Sequence, residues 1–456
     1  CHENAAFYYA GKNYSGKAIE QIADIKKNKT VLADNYNIGS TGAGILTQKF
    51  PGLKTYYKIL EDVLKKSAAE LQEELKISGL KGRGGAGFPM AIKLETCRNT
   101  AAEQRFIVCN ADEGDPGAYS DRYLLEHQAH SVLMGMIIAG YLADASMGVL
   151  YIRAEYPESI EVIEKAIAEL YEHKLVGENI FGSGFSFDFK LIKAQGAYIC
   201  GEETALLSSI EGQRPEVRIR PPFPAQQGLF NLPTVVNNVE TLANLPFIMQ
   251  KGGKAFAKIG TEKSTGTKLL SLDGYFNKPG LYEVDMGTPL EVVVNELGGG
   301  FREPVKAMHI GGPLGGLVPA SKIKYLTIDF ESFSKEGFLL GHASIVCIPE
   351  NFPLILYIEH LFEFTAHESC GKCFPCRLGS TRGKEMLEKA RTSDYKIEMK
   401  LMDDLLETLE IGSLCMLGGG LPLPVKNALQ YFNEELSVYF EDYNHKGHKE
   451  NIHKGH

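Results

Sequence analysis

The chain has 456 residues, 44% hydrophobic and 23% charged with 20 prolines, which is the composition of a globular protein of about three domains, not a disordered or fibrous one. Its 48 Lys and Arg stand against 57 Asp and Glu, and the net charge of −9 makes nucleic acid a poor partner. The longest apolar run, residues 132–142, falls short of the roughly 20 residues that cross a bilayer, so it predicts a buried helix and no direct membrane insertion.

Residues 1–50 read as an N-terminal extension rather than a complete domain, and Cys1-His2-Glu3-Asn4 opens it without a basic-then-apolar export pattern, which places the protein in the cytoplasm. From 55 to 78, Tyr56, Ile59, Leu60, Val63, Leu64, Leu71 and Leu75 recur at helical spacing and predict an amphipathic helix running into Gly79. A glycine-rich loop at 82–87 follows. Strand-like runs at 106–109, 149–152 and 189–192 then alternate with helical segments at 121–143, 158–172 and 202–210, so residues 51–246 form an α/β unit. After Pro246, short strands at 268–272, 280–284 and 307–310 with a helix at 290–297 predict a small α+β domain over 247–333. The pattern from Phe352 is mainly helical, with a long amphipathic stretch at 384–410, and residues 334–436 read as a helical bundle. The polar tail, 437–456, repeats His-Lys-Gly-His at 445–448 and 453–456; it reads as solvated chain, with metal binding as the alternative.

The strongest chemical signal is Cys370-Gly371-Lys372-Cys373-Phe374-Pro375-Cys376, with Cys415 following after 38 residues. Two successive two-residue gaps wrap three thiolates round one corner of a cubane, and a distant fourth completes the ligation of a [4Fe–4S] cluster. Structural zinc is the alternative, but zinc sites usually pair their ligands as two separated C-x2-C units. Nine cysteines, an odd number with four in a ligand pattern, argue for metal chemistry in a reducing compartment. Lys372, Arg377 and Arg382 either offset the cluster's negative charge or form a solvated basic face.

Gly82-Arg83-Gly84-Gly85-Ala86-Gly87 satisfies G-x-G-x-x-G, and its glycines admit a phosphate close to backbone N–H groups. A helix precedes it where a dinucleotide fingerprint needs a strand, so the loop is another kind of phosphate loop or a structural turn. Lys93 adds positive charge nearby or is simply exposed. Asn110-Ala111-Asp112-Glu113-Gly114-Asp115-Pro116-Gly117 places three carboxylates and an amide at a strand end, where α/β sheets bind ligands; it suits ribose hydroxyls or a polar ring edge, or is a solvated acidic turn. Tyr198-Ile199-Cys200-Gly201-Glu202-Glu203-Thr204 is a second strand-to-helix turn, whose paired acids also suit a helix N-terminus. Cys200 has no sequence feature marking a partner base and does not read as a nucleophile. Arg220-Pro221-Pro222-Phe223-Pro224 and Asn237-Asn238-Val239-Glu240-Thr241 carry no chemistry legible alone.

Together these segments, in this order, resemble the NADH-binding flavoprotein subunit of respiratory complex I, a family that includes the diaphorase subunits of NAD-linked hydrogenases and NAD-dependent formate dehydrogenases. The resemblance implies an FMN lying between an NAD(H) site and the [4Fe–4S] cluster, converting hydride to single electrons. It implies an α/β FMN-binding domain, a small ubiquitin-like α+β domain of the soluble-ligand-binding β-grasp type, and a C-terminal helical bundle carrying the cluster. Carried over motif by motif, Gly82, Arg83, Gly84, Gly85, Lys93, Asn110, Asp112, Gly201, Glu202, Asn237, Asn238 and Thr241 belong to the flavin pocket. Glu113 and Asp115, the catalytic candidates, face NAD(H) with Tyr198, Glu203, Arg220, Phe88 and Phe223, the two phenylalanines offering flat faces to adenine. Cys370, Cys373, Cys376 and Cys415 hold the cluster. Expected partners are a thioredoxin-like [2Fe–2S] subunit and a catalytic subunit of formate dehydrogenase, hydrogenase or complex I type. Two positions depart from the common pattern: Asp115 stands where many complex I subunits have Glu, and Arg220 where Lys is usual. Gly311-Gly312-Pro313-Leu314-Gly315, Gly341-His342 and Ser413-Leu414-Cys415-Met416-Leu417-Gly418-Gly419 look most like the β subunit of soluble NAD-dependent formate dehydrogenase. A zinc scaffold and a flavin-free dinucleotide dehydrogenase are the competing readings, and the cysteine spacing speaks against both.

Overall fold

The computed structural model describes residues 6–9, 12–15, 26–27, 36–194 and 196–442; Cys1 and the histidines of the tail lie outside them. In chain order the strands of its two main sheets are β1 (Asn37–Thr41), β2 (Phe106–Ala111), β3 (Met147–Arg153), β4 (Asp188–Ala194), β5 (Thr234–Asn238), β6 (Thr267–Leu272), β7 (Gly280–Asp285), β8 (Val305–Ile310), β9 (Gly316–Pro319) and β10 (Ser344–Pro349). The helices that matter for the site are α1 (Ala68–Ser78), α2 (Met90–Asn99), α3 (Ser120–His127), α4 (Ala129–Ala143), α5 (Pro157–Glu172), α6 (Glu203–Ile210) and α7 (Val239–Ala243). Four more, α8 (Leu354–Glu368), α9 (Ser380–Thr392), α10 (Met399–Gly412) and α11 (Pro422–Tyr431), form the helical C-terminal part.

The first sheet is all parallel, in the order β4-β3-β2-β5. Strand β2 is apolar and buried on both faces, as a strand covered by helices on each side must be. From β2 the chain builds outward through β3 to β4, then returns to lay β5 on the other side of β2. That reversal opens a crevice beyond the C-terminal ends of β2 and β5, the place where open α/β sheets bind ligands. The apolar run at 132–142 lies in α4, nearly all of it buried beneath the sheet.

The second sheet is mixed, in the order β9-β8-β10-β6-β7-β1. It crosses two of the expected domain boundaries. Strand β1, from the N-terminal extension, pairs in parallel with β7, and residues 45–47 donate their backbone N–H groups to the buried Glu283 carboxylate at 2.7–3.0 Å. Strand β10, expected within the helical bundle, runs between β6 and β8. Hydrogen-bond partners far away in sequence decide both placements, and local periodicity carries no trace of them.

Three expected helices are divided. The stretch 55–78 breaks before α1 because Ser67 and Glu70 form a reciprocal capping box, and α1 stops at Gly79 with φ of +66°. The segment 121–143 breaks at Gln128, between α3 and α4. The stretch 384–410 becomes α9 and α10, separated where the Ser393 hydroxyl bonds the Lys389 carbonyl and accepts the Tyr395 N–H. Residues 290–297 are helical, but the last turn widens, with Gly298 N–H reaching Val293 O at 2.8 Å. Strand β5 went unrecognised among the amides of Asn237 and Asn238. No helix among the described residues is long and apolar enough to cross a membrane.

Candidate active site

The crevice beyond β2 and β5 deepens into a cleft of about 190 Å³ that opens to solvent. Its walls are the glycine loop (Arg83, Gly84), the acidic loop after β2 (Asp112 to Asp115), the turn before α6 (Tyr198 to Glu202) and the start of α7 (Asn238, Glu240). His342 closes it from the second sheet, and Cys415 and Leu417 close it from the helical part.

The glycine loop is pinched by Gly82 N–H donating to Phe88 O at 2.8 Å, and it is tied to α7 by Arg83 N–H donating to Thr241 Oγ1 at 2.8 Å. A Cβ on Gly84 would lie 2.9 Å from Asn238 Cβ, and Gly85 has φ of +125°, so only glycine lets the loop press against the end of β5. Arg83 is 1% exposed. Its Nη2 donates to Thr265 O at 2.5 Å, while Nε and Nη1 have no hydrogen-bond partner among the described residues. Burial presses its pKa down, with Glu240 opposing.

Adjacent residues of β2 and β5 bring Asn110 and Asn238 side by side. Asn110 Nδ2 donates to Gly201 O at 2.7 Å, and Asn238 accepts Glu240 N–H at 2.9 Å, capping α7, while donating to Asp121 Oδ2 at 2.6 Å. Asn237 Nδ2 and Asp112 Oδ2 are buried and without partners among the described residues. Burial pushes the Asp112 carboxyl up to about 7, against the pull of Arg153.

Glu113 uses its carboxylate on the fold: it accepts the N–H groups of Asp121 and Arg122 at 2.9 and 3.1 Å and the Tyr156 hydroxyl at 3.1 Å. Asp115 faces the cleft differently. Tyr198 donates to its Oδ1 at 2.7 Å, and His342 Nε2 lies 2.7 Å from its Oδ2. Burial works to raise the Asp115 pKa, but the charge and contact of His342 and the Tyr198 hydroxyl outweigh it and hold the carboxyl below the usual range.

Glu202 caps α6, accepting Thr204 N–H and Ala205 N–H at 2.9 Å each. Beside it, Glu203 receives Lys93 at 3.2 Å and Arg220 at 3.0 Å, so these three charges are paired with one another rather than directed into the cleft. Phe88 and Phe223 are 46% and 54% exposed and do not line the cleft. Gly82, Gly85, Asn237 and Thr241 also lie outside its lining, behind or beside it.

Sequence reasoning missed the charges behind the cleft. Lys268 is fully buried and ion-paired with Glu240, which is 1% exposed, and Glu240 Oε1 also accepts Leu269 N–H at 3.0 Å. The signal was present: a lysine inside the apolar strand β6. Asp121, Tyr156 and the role of His342 gave no such signal.

The four motif cysteines pack in one apolar group with Ile199, Val217 and Leu417. Arg214 of the first unit donates to Cys370 O at 3.1 Å, and Ser369 Oγ sits 3.3 Å from Cys376 Sγ. Burial pushes Cys376 up to about 11 and Cys415 up to about 12, and neighbouring thiols add to both. Thiols so reluctant to ionise need a cationic core to become ligands. Among the described residues no three His, Cys, Asp or Glu side chains form a group that could hold a single metal ion. Lys372, Arg377 and Arg382 are exposed on this face, Arg382 paired with Glu385 at 3.3 Å.

The cleft also fits a flavin nucleotide. Arg83 Nε and Nη1 and Asp112 Oδ2 on its lining, with Asn237 Nδ2 beside it, are buried without partners among the described residues and match a ligand that carries both an anion and a polar ring edge.

Residues 75–247 match the Nuo51 FMN-binding domain, and residues 357–439 match the NADH-ubiquinone oxidoreductase-F iron–sulfur binding region. The chain is 43% identical over 389 residues to the NADP-reducing hydrogenase subunit HndC of Solidesulfovibrio fructosivorans, covering 85% of this chain and 79% of that one. It is 36% identical over 387 residues to the mitochondrial NADH dehydrogenase (ubiquinone) flavoprotein 1 of Dictyostelium discoideum, covering 84% and 81%. A crystal structure of NAD+-reducing [NiFe]-hydrogenase in the air-oxidised state superposes with a TM-score of 0.84 at 30% identity, over 96% of this chain and 76% of that one. With an FMN domain and a cluster region matched in order around one cleft, this oxidoreductase chain belongs to the family of NADH-binding FMN and [4Fe–4S] subunits found in complex I and NAD-reducing hydrogenases.

Proposed function

We propose that this chain is the electron-input subunit of a larger complex: the cleft would hold FMN against an NAD(H) site, and Cys415 of its wall would be one of the four thiols that hold the cluster. The observation that carries this reading is the shared lining: Arg83 and Gly84, Asp115, and Cys415 belong to one cavity. Bound there, FMN supplies the exchange between a two-electron hydride and single-electron traffic.

The protein's own residues bind, orient and insulate. Arg83, held by Thr265 and Thr241, presents cationic N–H groups to an anionic ligand, and the backbone of Gly82, Gly84 and Gly85 comes near because no side chain intervenes. Asn110, Asp112, Asn237 and Asn238 orient the polar edge of the ring, with Gly201, Glu202 and Thr241 as supports. Lys93 acts on the flavin side by holding Glu203 in place. On the NAD side, Phe88 and Phe223 offer apolar faces to adenine, Tyr198 and Asp115 face the nicotinamide half, and Glu203 and Arg220 serve the ribose and phosphate groups. Glu113 contributes by fixing the start of α3 rather than by moving a proton. Ile199 and Leu417 exclude water between the cleft and the thiols.

The second sheet supports a ubiquitin-like, β-grasp assignment: the β6–β7 hairpin is followed by β10 parallel to β6, with β8 antiparallel beyond it. This gives three functional divisions, for flavin and dinucleotide, for the β-grasp unit, and for the cluster. The cytoplasm is the compartment that suits the eight described cysteines, all free thiols.

Around the cysteine motif, Phe374, Leu378, Ile411 and Met416 are 55–76% exposed, which supports docking of a thioredoxin-like [2Fe–2S] subunit or a catalytic subunit there. Motif likeness favours a formate dehydrogenase complex; the identity with HndC favours the hydrogenase branch, and the flavoprotein subunit of complex I is the remaining alternative. Isolation of the intact complex, assayed with formate and with hydrogen against NAD+, separates these branches. The core reading is tested by the visible spectrum of anaerobically purified protein, with flavin and iron analysis: flavin bands and a broad iron–sulfur shoulder bleach together on adding NADH. FMN-reconstituted, cluster-loaded protein that reduces no artificial acceptor with NADH overturns it.

A further inference from the structure

Two loops of the second sheet meet Asp115 at unusually close range. A Cβ on Gly312 would lie 2.5 Å from Asp115 Oδ1 and 2.9 Å from His342 Nε2, and a Cβ on Gly341 would strike Gly311 at 2.5–3.0 Å. Both glycines have positive φ, +86° and +56°. These are the Gly311-Gly312 and Gly341-His342 segments, to which the cofactor sites assign no task. What they admit is the His342 ring, whose side chain is 12% exposed.

Ser344 N–H donates to His342 Nδ1 at 3.3 Å, which assigns the ring proton to Nε2, the atom 2.7 Å from Asp115 Oδ2. That N–H lies off the straight line to the oxygen, so the ring acts on the carboxylate by close contact and charge, packed where it limits the carboxylate's rotation. Tyr198 holds the other oxygen at 2.7 Å. Oδ1 of Asp115 therefore has a hydrogen-bond donor and Oδ2 a close but unaligned imidazole nitrogen, and the remaining lone pairs stay available to hydroxyl or amide donors in the cleft.

The geometry points to His342 as a positioning residue of the dinucleotide site: it is brought in by the glycine-lined loops of the second sheet to fix Asp115 as an oriented acceptor for the ribose hydroxyls or carboxamide of NAD(H). This rests on the reading of Asp115 as dinucleotide-facing. It gives the second sheet a direct part in substrate binding. Without the ring, Asp115 keeps only Tyr198, and its carboxyl is free to turn or to take up a proton, becoming a donor where an acceptor is needed.

The test uses the full chain loaded with FMN and iron, in wild type and in His342→Leu, His342→Asn and His342→Gln. Gln places an amide N–H near the position of Nε2, whereas Asn is too short and Leu has no donor. In the Leu and Asn variants, KM for NADH and the Kd for NAD+ by calorimetry should rise roughly tenfold, the scale of one hydrogen bond to a charged group, while kcat stays within about twofold. Flavin and iron content should match wild type, and Gln should return both constants to within about threefold of it. Unchanged KM and Kd in the Leu and Asn variants overturn the proposal. So does a Gln variant that falls as far as Leu, or a loss of flavin and kcat together in all three, since either marks a merely structural ring. Wild-type protein that holds FMN and iron yet neither binds NAD+ nor oxidises NADH overturns the functional reading and this proposal with it.

Discussion

Lys268→Met tests whether the charges behind the cleft work as a pair. Lys268 is fully buried and Glu240 1% exposed, so losing the lysine leaves the carboxylate with the Leu269 N–H at 3.0 Å and the charge of Arg83 to stabilise it. Breaking one side of a buried ion pair costs about 3–5 kcal/mol. Unfolding entropy near 2.1 cal/mol/K per residue gives about 1 kcal/mol/K for 456 residues, so melting as one unit should lower Tm by about 3–5 °C, and by about twice that if half the chain melts alone. Adding Glu240→Gln keeps an acceptor for Leu269 N–H while removing the stranded charge, so the double variant should recover more than half of the loss. Thermal unfolding of the FMN-loaded protein, followed by circular dichroism at fixed excess FMN, reads all four corners of the cycle. A Lys268→Met variant within about 1 °C of wild type, or a double variant no better than the single, refutes the reasoning.

Gly84→Ala drives a methyl against Asn238 Cβ at 2.9 Å; overpacking of about 1–3 kcal/mol should weaken FMN binding roughly 5- to 150-fold, measured by flavin fluorescence, with iron content unchanged. Cys415→Ser should drop acid-labile iron from about four atoms per chain to well below that while FMN is retained, as colorimetric iron and flavin assays would show. Asp112, pushed up to about 7 by burial, keeps a proton in the flavin-free fold that the unfolded chain has lost at the same pH. The native state then binds more protons, so stability falls as pH rises from about 4 to about 7, by at most about 4 kcal/mol. The Tm advantage of flavin-free Asp112→Asn over wild type should widen by about 2 °C between pH 5.5 and 8; a constant gap would refute the assignment.

What the sequence made legible follows the range of the interactions involved. The cysteine ligands sit in a compact motif plus one residue, so spacing sufficed to find them. The acidic loop was recognised because strand β2 opens with a plain apolar run, Phe106 to Cys109, directly before Asn110. Strand β1 left no such mark, because its partner Gly280 lies far along the chain; the apolar run of β10, Ile345 to Ile348, was legible as a strand, but nothing local tied it to Ser271 and Leu272 of β6. The break at Ser67 was readable as Ser-x-x-Glu, but helical periodicity on both sides hid it. His342 could be seen only as a motif letter until the fold brought it against Asp115, and the acidic motif gave no sign that the Glu113 carboxylate also holds the start of α3.

The placement of β1 bears on how the chain is made. Residues 37–41 have no strand to pair with until β7 at 280–285 has been synthesised, an interval of about 240 residues, or about 12–50 s of translation at 5–20 residues per second. Through that interval the nascent chain shows an unpaired strand edge, while Glu283, which later gathers the N–H groups of Ile45, Leu46 and Thr47, does not yet exist. The flavin domain can close first, but the second sheet cannot close until β10 arrives at 344–349. A holdase that shields the first 50 residues should therefore raise the yield of folded protein more than one acting on the C-terminal helices.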